Sequence, residues 1–105
     1  MHIKIENKKI EIKVLTKKID RFKSLKFVLE PIKYGIKIPN KKIINTYYFC
    51  QRVDICITDK NNKIIKKYEN FKSEKIRFIL KSHNIYYLPL NSSKHLNIND
   101  ILIEQ

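Results

Sequence analysis

The stretch from Ile43 to Tyr68 constrains this chain most. Val53, Ile55 and Ile57 alternate with Asp54, Cys56 and Thr58, the period-two pattern of a strand with one apolar face. Asp59-Lys60-Asn61-Asn62-Lys63 then reads as a turn, because Asp and Asn bond their own backbone and Asn tolerates a left-handed conformation. Ile64 to Tyr68 returns as the partner strand, and Ile43 to Phe49 upstream is rich in β-branched and aromatic residues.

The flanking segments supply the remaining elements. His2 to Glu6 alternates, Asn7-Lys8 turns, and Ile10, Ile12 and Val14 resume the alternation, so the chain opens with a hairpin. Thr16 offers an N-cap, and Ile19, Phe22, Leu25 and Leu29 recur at intervals of three and four. That spacing predicts an amphipathic helix from Lys17 to Val28, closed by Pro31, although Lys17 and Lys18 oppose the helix dipole. Tyr34, Ile36 and Ile38 alternate up to Pro39, while Glu74 to Leu80 and Ile85 to Leu90 are two further extended stretches. Asn91 or Ser92 caps a single turn through Leu96, and Asn99-Asp100 turns into a last strand, Ile101 to Glu104. The expectation is a mainly β (α+β) fold: a compact antiparallel β-barrel or sandwich of about seven or eight short strands with one amphipathic helix. Residues 1–105 read as a single domain.

Composition narrows the class. A chain of 105 residues, 43% of them hydrophobic, has enough apolar surface for a core. Its longest apolar runs, Tyr47 to Cys50 and Ile85 to Leu88, fall far short of the ~20 residues of a membrane helix. No apolar stretch of signal-peptide type follows Met1, so the expected location is the cytoplasm. The net charge is +13, carried by 20 Lys but only 3 Arg. Together 20 Lys, 20 Ile and 10 Asn make a composition that AT-rich coding alone would produce, with no Ala at all. Yet the charge is uneven: residues 1–52 carry 14 basic and 4 acidic side chains, residues 53–105 carry 9 and 6. The doublets Lys8-Lys9, Lys17-Lys18 and Lys41-Lys42 all lie in the first half and form a candidate anion-binding set.

Residues that carry chemistry are sparse. An extended chain from Cys50 to Cys56 separates the two Cα atoms by about 20 Å, beyond the ~7 Å limit of a disulfide, so inert thiols are expected. His2, His83 and His95 lack metal-ligand spacing, and the one glycine, Gly35, excludes a glycine-rich phosphate loop. No nucleophile elbow is present, and Asp54 and Asp59 fall on opposite faces of one strand. Accordingly no catalytic residue, metal site or cofactor is expected. Asp54 is the residue that most needs an explanation, because a carboxylate in a semi-buried strand must find donors. It either fastens a loop through Arg52, Thr46 or backbone N–H groups, or lines a small polar recess with Asn45, Thr46, Tyr48 and Arg52.

The run INTYYFCQRVDICITDKNNKIIKKYEN resembles the signature of the uncharacterised domain-of-unknown-function family 192. Members often read His-Thr-Phe-Phe-Met, then an Asp, a strand, an Asp-containing turn and a further strand. Asn45 takes the His position, followed by Thr46, Tyr47, Tyr48 and Phe49, with Asp54 and Asp59 in register. RFKSLKF (Arg21 to Phe27) resembles the family's Arg-Phe-x-Gly-Leu-Met-Phe, with Ser24 and Lys26 as departures. YYLPLNSSKHLNINDIL resembles its closing segment, Asn91 and Asn99 standing for Gly. The resemblance, over residues 10–104, implies a small β-rich domain with one helix and no defined activity. Asn at position 45 also argues against acid–base or metal chemistry there, since Asn does not titrate and ligates transition metals poorly.

Two function classes follow, a third, a hydrolase-like enzyme built on Asp54, being set aside for want of a second titratable partner. The first is a small, non-enzymatic binding or accessory domain with a recess near Asp54. The second is a nonspecific binder of nucleic acid or an anionic surface through the Lys-rich first half. Exposed strand edges are compatible with a monomer or a weak homodimer.

Overall fold

The computed structural model describes residues 2–5, 8–16, 28–94 and 96–103. These form six strands: β1 (His2–Ile5), β2 (Lys8–Val14), β3 (Gly35–Asn45), β4 (Val53–Thr58), β5 (Ile64–Phe71) and β6 (Ile76–Leu88). They join in one sheet of order β1-β2-β3-β6-β4-β5. Four of the pairings are antiparallel, and β2–β3 is parallel, with Ile12 opposite Gly35. The result is a curled mixed sheet, a half-barrel, and the mainly β expectation holds. No helix occurs among the described residues, and the helix predicted over Lys17–Val28 lies outside them except for Val28.

The strand count differs from expectation because two predicted breaks are bends. Pro39 was expected to end a strand, yet β3 runs through it: the register slips between Ile38 and Lys41, and Asn40 adopts φ 54°. Proline donates nothing to the ladder and Asn accepts a left-handed backbone, so Pro39-Asn40 suits a bulge. Likewise Glu74–Leu80 and Ile85–Leu90 merge into β6. Thirteen residues of straight strand would span about 40 Å, but the longest dimension of the molecule is 30 Å. The β3–β6 ribbon must therefore bend. Its far end folds back far enough for the Asn45 N–H to reach the Tyr87 hydroxyl at 3.3 Å.

Two predicted ends also shift. The stretch expected over Ile43–Phe49 stops at Asn45, where Thr46 leaves the ladder to bond Lys75. The final strand reduces to a single bridge, Lys63 to Ile101. The turn at 59–63 forms as expected: Asp59 Oδ1 accepts the N–H groups of Asn61 and Lys63, and Asn62 sits at φ 62°.

Every residue of β4 is buried, on both faces. Val53, Ile55 and Ile57 join Ile36, Ile38, Ile44, Phe49, Ile85 and Tyr87 in one apolar cluster. Cys56 joins Ile3, Ile5, Ile12, Ile64, Tyr86 and Leu88 in a second, closed by Leu96 and Leu102 of the irregular segment 89–103. Gly35 sits where β2 and β6 squeeze β3. A Cβ there would lie 2.6 Å from Ile12 Cδ1, 2.9 Å from Leu88 Cδ2 and 3.2 Å from the Tyr87 carbonyl oxygen. Replacement of the chain's one glycine, Gly35→Ala, is expected to destabilise the fold by about 1–3 kcal/mol through overpacking. A urea midpoint equal to that of the parent would refute this.

Candidate anion-binding site

The site grows from a mismatch in the β4–β5 ladder. Val53 pairs with Phe71 and Ile55 with Tyr68, so Asp54 alone faces two residues, Glu69 and Asn70. Asn70 takes the left-handed conformation of such a bulge, with φ 55°. Its N–H donates to Asp54 Oδ1 at 3.0 Å. The other carboxylate oxygen accepts the Ser93 N–H at 2.9 Å and the Ser93 hydroxyl at 2.6 Å. Asp54 and Ser93 are both fully buried.

These bonds hold segment 89–103 on the second face of the sheet. Among its described residues, Leu96 and Leu102 are the buried side chains beside Ser93, worth roughly 1.5–3 kcal/mol each. Ordering that many residues costs about 1–2 kcal/mol apiece, so apolar burial falls well short and polar ties must contribute. Lys67 supplies further ties, donating to the carbonyls of Ser93 at 3.1 Å and Leu96 at 2.6 Å while pairing with Glu69 at 2.9 Å. The backbone of Ile64 bonds to Asp100 and Asn99, and Asn62 accepts from Leu102 and from the Tyr86 hydroxyl. Cys56, opposite Lys67 in the ladder, lies under this lid. Burial, and then the Asp54 carboxylate, push its thiol up from 9.0 to about 12.

Thr46 plays the matching part on the other side. It is fully buried; its hydroxyl donates to the Lys72 carbonyl at 2.8 Å and accepts the Lys75 N–H at 3.0 Å. Its backbone bonds both Lys75 and Glu74. Asp54 and Thr46 thus pin the two halves of the segment from Asn70 to Lys75. That segment, with the end of β5 and the start of β6, encloses an open recess of about 390 Å³. Lys67, Lys72, Lys75 and Arg77 line it with Glu69 as the opposing charge. Tyr68 and Phe71, packed edge to face at 5.5 Å, form its aromatic wall, and the Arg77 guanidinium lies over both rings, 5.2 Å and 6.0 Å away.

The residues expected around Asp54 divide. Arg52 is exposed, and the donors to Asp54 are Asn70 and Ser93 instead. Asn45 is exposed and its Oδ1 accepts the Tyr47 N–H. Tyr48 is exposed, has φ 65°, and donates its N–H to Glu74 Oε1 at 3.1 Å. Asn45, Thr46 and Tyr48 therefore stand behind and beside the Lys72–Lys75 loop. Of the lysine doublets, Lys17-Lys18 lies outside the described residues. Lys8-Lys9 precedes the Ile12–Gly35 pair and Lys41-Lys42 follows the Val14–Lys37 pair, so these two occupy opposite ends of β2–β3. The cations that do converge, Lys72, Lys75 and Arg77, lie in the second half. Their signal was local: Lys66, Lys67, Tyr68, Phe71, Lys72, Lys75 and Arg77 interleave base and aromatic within twelve residues, and summing charge over half the chain diluted it.

Cys50 and Cys56 are free thiols, exposed and buried respectively. Among the described residues no group of three His, Cys, Asp or Glu could hold a metal ion, and no helix is long and apolar enough to cross a membrane.

No protein-family model matches the chain, and comparison with curated proteins finds none that matches. Solved structures do share its fold. A candidate transcription regulator from Sinorhizobium meliloti superposes with a TM-score of 0.80 at 12% identity, over 97% of this chain and 89% of that one. A protein of unknown function from Novosphingobium aromaticivorans gives 0.79 at 10% identity, over 98% and 82%. At such identities the likeness concerns the fold alone.

Two outcomes follow for stability. Asp54→Asn turns an amide toward donors that the carboxylate accepted, and is expected to lower unfolding free energy by about 2 kcal/mol or more. Arg52→Gln should change it by less than about 0.5 kcal/mol; equal effects in chemical denaturation would refute the fastening role. Alkali should also destabilise the fold. Burial raises Tyr87 from 10.0 to about 12, as it raises Cys56, so both groups hold their protons more tightly folded than unfolded. Their contribution is complete below pH 9 and is lost as pH rises from about 9 to about 12. Urea midpoints across that range should fall, less steeply at first in Cys56→Val; a flat profile would contradict the burial argument.

Proposed function

We propose that this chain is a small non-enzymatic binding domain whose site is the recess beside β5 and β6, and that it takes an anionic group there. The observation that carries this reading is the charge balance of the recess. Lys72, Lys75 and Arg77 line it along with Lys67, while the opposing carboxylate, Glu69, lies 2.9 Å from Lys67 and is thereby engaged. Lys67 itself is committed to two backbone carbonyls. Among the described residues that leaves Lys72, Lys75 and Arg77, the last lying over the Tyr68 and Phe71 rings, with no carboxylate paired to them; an anion would relieve their mutual repulsion, and Arg77 can offer a two-point contact. Asp54 supports the non-enzymatic reading, since both of its oxygens accept structural hydrogen bonds.

The motifs of family 192 fit this account: Thr46 and Asp54, two of the positions on which the resemblance rests, brace the recess. We therefore read the chain as a relative of that family. Its exposed free thiol at Cys50 favours a reducing compartment such as the cytoplasm.

Titration of the isotopically labelled full chain with inorganic pyrophosphate at low salt tests the site. Amide shifts should concentrate at Asn70, Lys72, Lys75 and Arg77, and Arg77→Gln should weaken binding about tenfold, the loss of one charge-assisted contact. Shifts centred on Lys9 or Lys42 instead would overturn the assignment.

A further inference from the structure

β5 is the last strand of the sheet, so the edge it turns away from β4 has no neighbouring strand. The irregular segment 89–103 partners that edge only where β5 begins, through the N–H and carbonyl of Ile64. Among the described residues no backbone group bonds it beyond that point. Nor is it covered: between buried Ile64 and buried Phe71, every residue of β5 is exposed or half-buried. Asn70 has already given its N–H to Asp54, so the open ladder spans residues 65–69, about 16 Å of strand. The recess runs along this edge. Side chains alternate between the faces of a strand, so a hollow lined by six consecutive residues, 67–72, follows the backbone rather than one face. The stretch entering β6 forms its further wall, with Lys75 and Arg77. There β6 is paired with β3, and β4 takes up its second edge only from Asn84 onward. Residues 66–77 carry five cations and two carboxylates. Of the carboxylates, Glu69 pairs with Lys67 and Glu74 accepts the Tyr48 N–H.

We infer that this edge docks an acidic peptide segment of a partner protein, which adds to β5 as a further strand and turns carboxylates toward Lys72, Lys75 and Arg77. The inference rests on the anion-binding reading and names its ligand. A strand edge offers donors and acceptors in alternation, and an extended peptide matches both. Phosphate groups accept hydrogen bonds but do not donate them, so they would leave the carbonyls of the edge unanswered. Charge then selects among peptides. Side chains two residues apart on an extended chain share a face, so alternating carboxylates would all be presented to the recess. The same lysines bar a second copy of this chain, which would bring its own charge of +13 to the edge.

The experiment is fluorescence anisotropy of the full chain with a labelled hexapeptide of alternating Glu and Val, alongside the pyrophosphate titration. The peptide should bind, and more weakly as salt rises. Its Gln counterpart should bind about tenfold more weakly, and Arg77→Gln should weaken both the acidic peptide and pyrophosphate by about the same factor. N-methylation of alternate residues tests the strand pairing itself, because it blocks the amides that face β5 and spares those that face away. One phase of methylation should weaken binding about tenfold while the other retains it, and amide shifts should fall on residues 65–69. Equal affinities for the two phases, no preference for Glu over Gln, or shifts along β1 overturn the inference while the anion site stands, as does pyrophosphate binding without peptide binding. A labelled oligonucleotide bound more tightly than the peptide overturns it in favour of nucleic acid. A dimer in sedimentation that the peptide dissociates overturns it in favour of a second copy. Absence of both peptide and pyrophosphate binding overturns the two readings together.

Discussion

Burying a strand on both faces is straightforward when both are apolar, and β4 is not such a strand. Its second face carries Asp54, Cys56 and Thr58, and the fold covers all three. An ionised carboxylate taken out of water needs donors for both oxygens, and Asp54 obtains three: the freed N–H of a bulge in β5, and the N–H and hydroxyl of Ser93. Everything on that side follows from this exchange. The bulge exists because Asp54 faces two residues, and the irregular segment 89–103 lies where it does because Ser93 answers the remaining oxygen. Cys56 becomes an inert thiol because that segment seals it from water.

The same bonds shape the surface. Asn70 is held by Asp54 and the loop from Lys72 to Lys75 is held by Thr46, so the backbone that presents Lys72 and Lys75 is tied at both ends by fully buried polar groups. The bent β3–β6 ribbon then brings Arg77 over Tyr68 and Phe71. Buried polar side chains position exposed charged ones without touching a ligand themselves. That division explains how a chain with few chemistry-bearing residues can still build a defined concavity.

Much of this was legible in the residue pattern. The alternation of Val53, Ile55 and Ile57, the Asp59–Lys63 turn and the first two strands appear where period-two spacing and turn chemistry put them. Asp54 stood out as a buried carboxylate in need of partners, which it is. Pro39 misled because a proline that ends most strands can also sit at a bulge, and only the packing of β6 alongside decides which. The lysine doublets drew attention by adjacency along the chain, yet Lys9 and Lys42 end up apart. Lys72, Lys75 and Arg77 escaped notice because charge summed over half the chain hides a cluster confined to residues 66–77.

What the amino-acid order determined by itself was local: which residues could be extended, where the backbone could turn left-handed, and that one carboxylate would have to be satisfied away from water. Those are properties of side-chain period, of Asn and Pro stereochemistry and of charge desolvation, and each acts over a few residues. Tertiary structure alone decided the parallel β2–β3 pairing, the partners of Asp54 and the convergence of cations around Tyr68 and Phe71. The first two join segments 16 to 39 residues apart, and the third needs the turn of the chain between β5 and β6 that Thr46 and Asp54 hold.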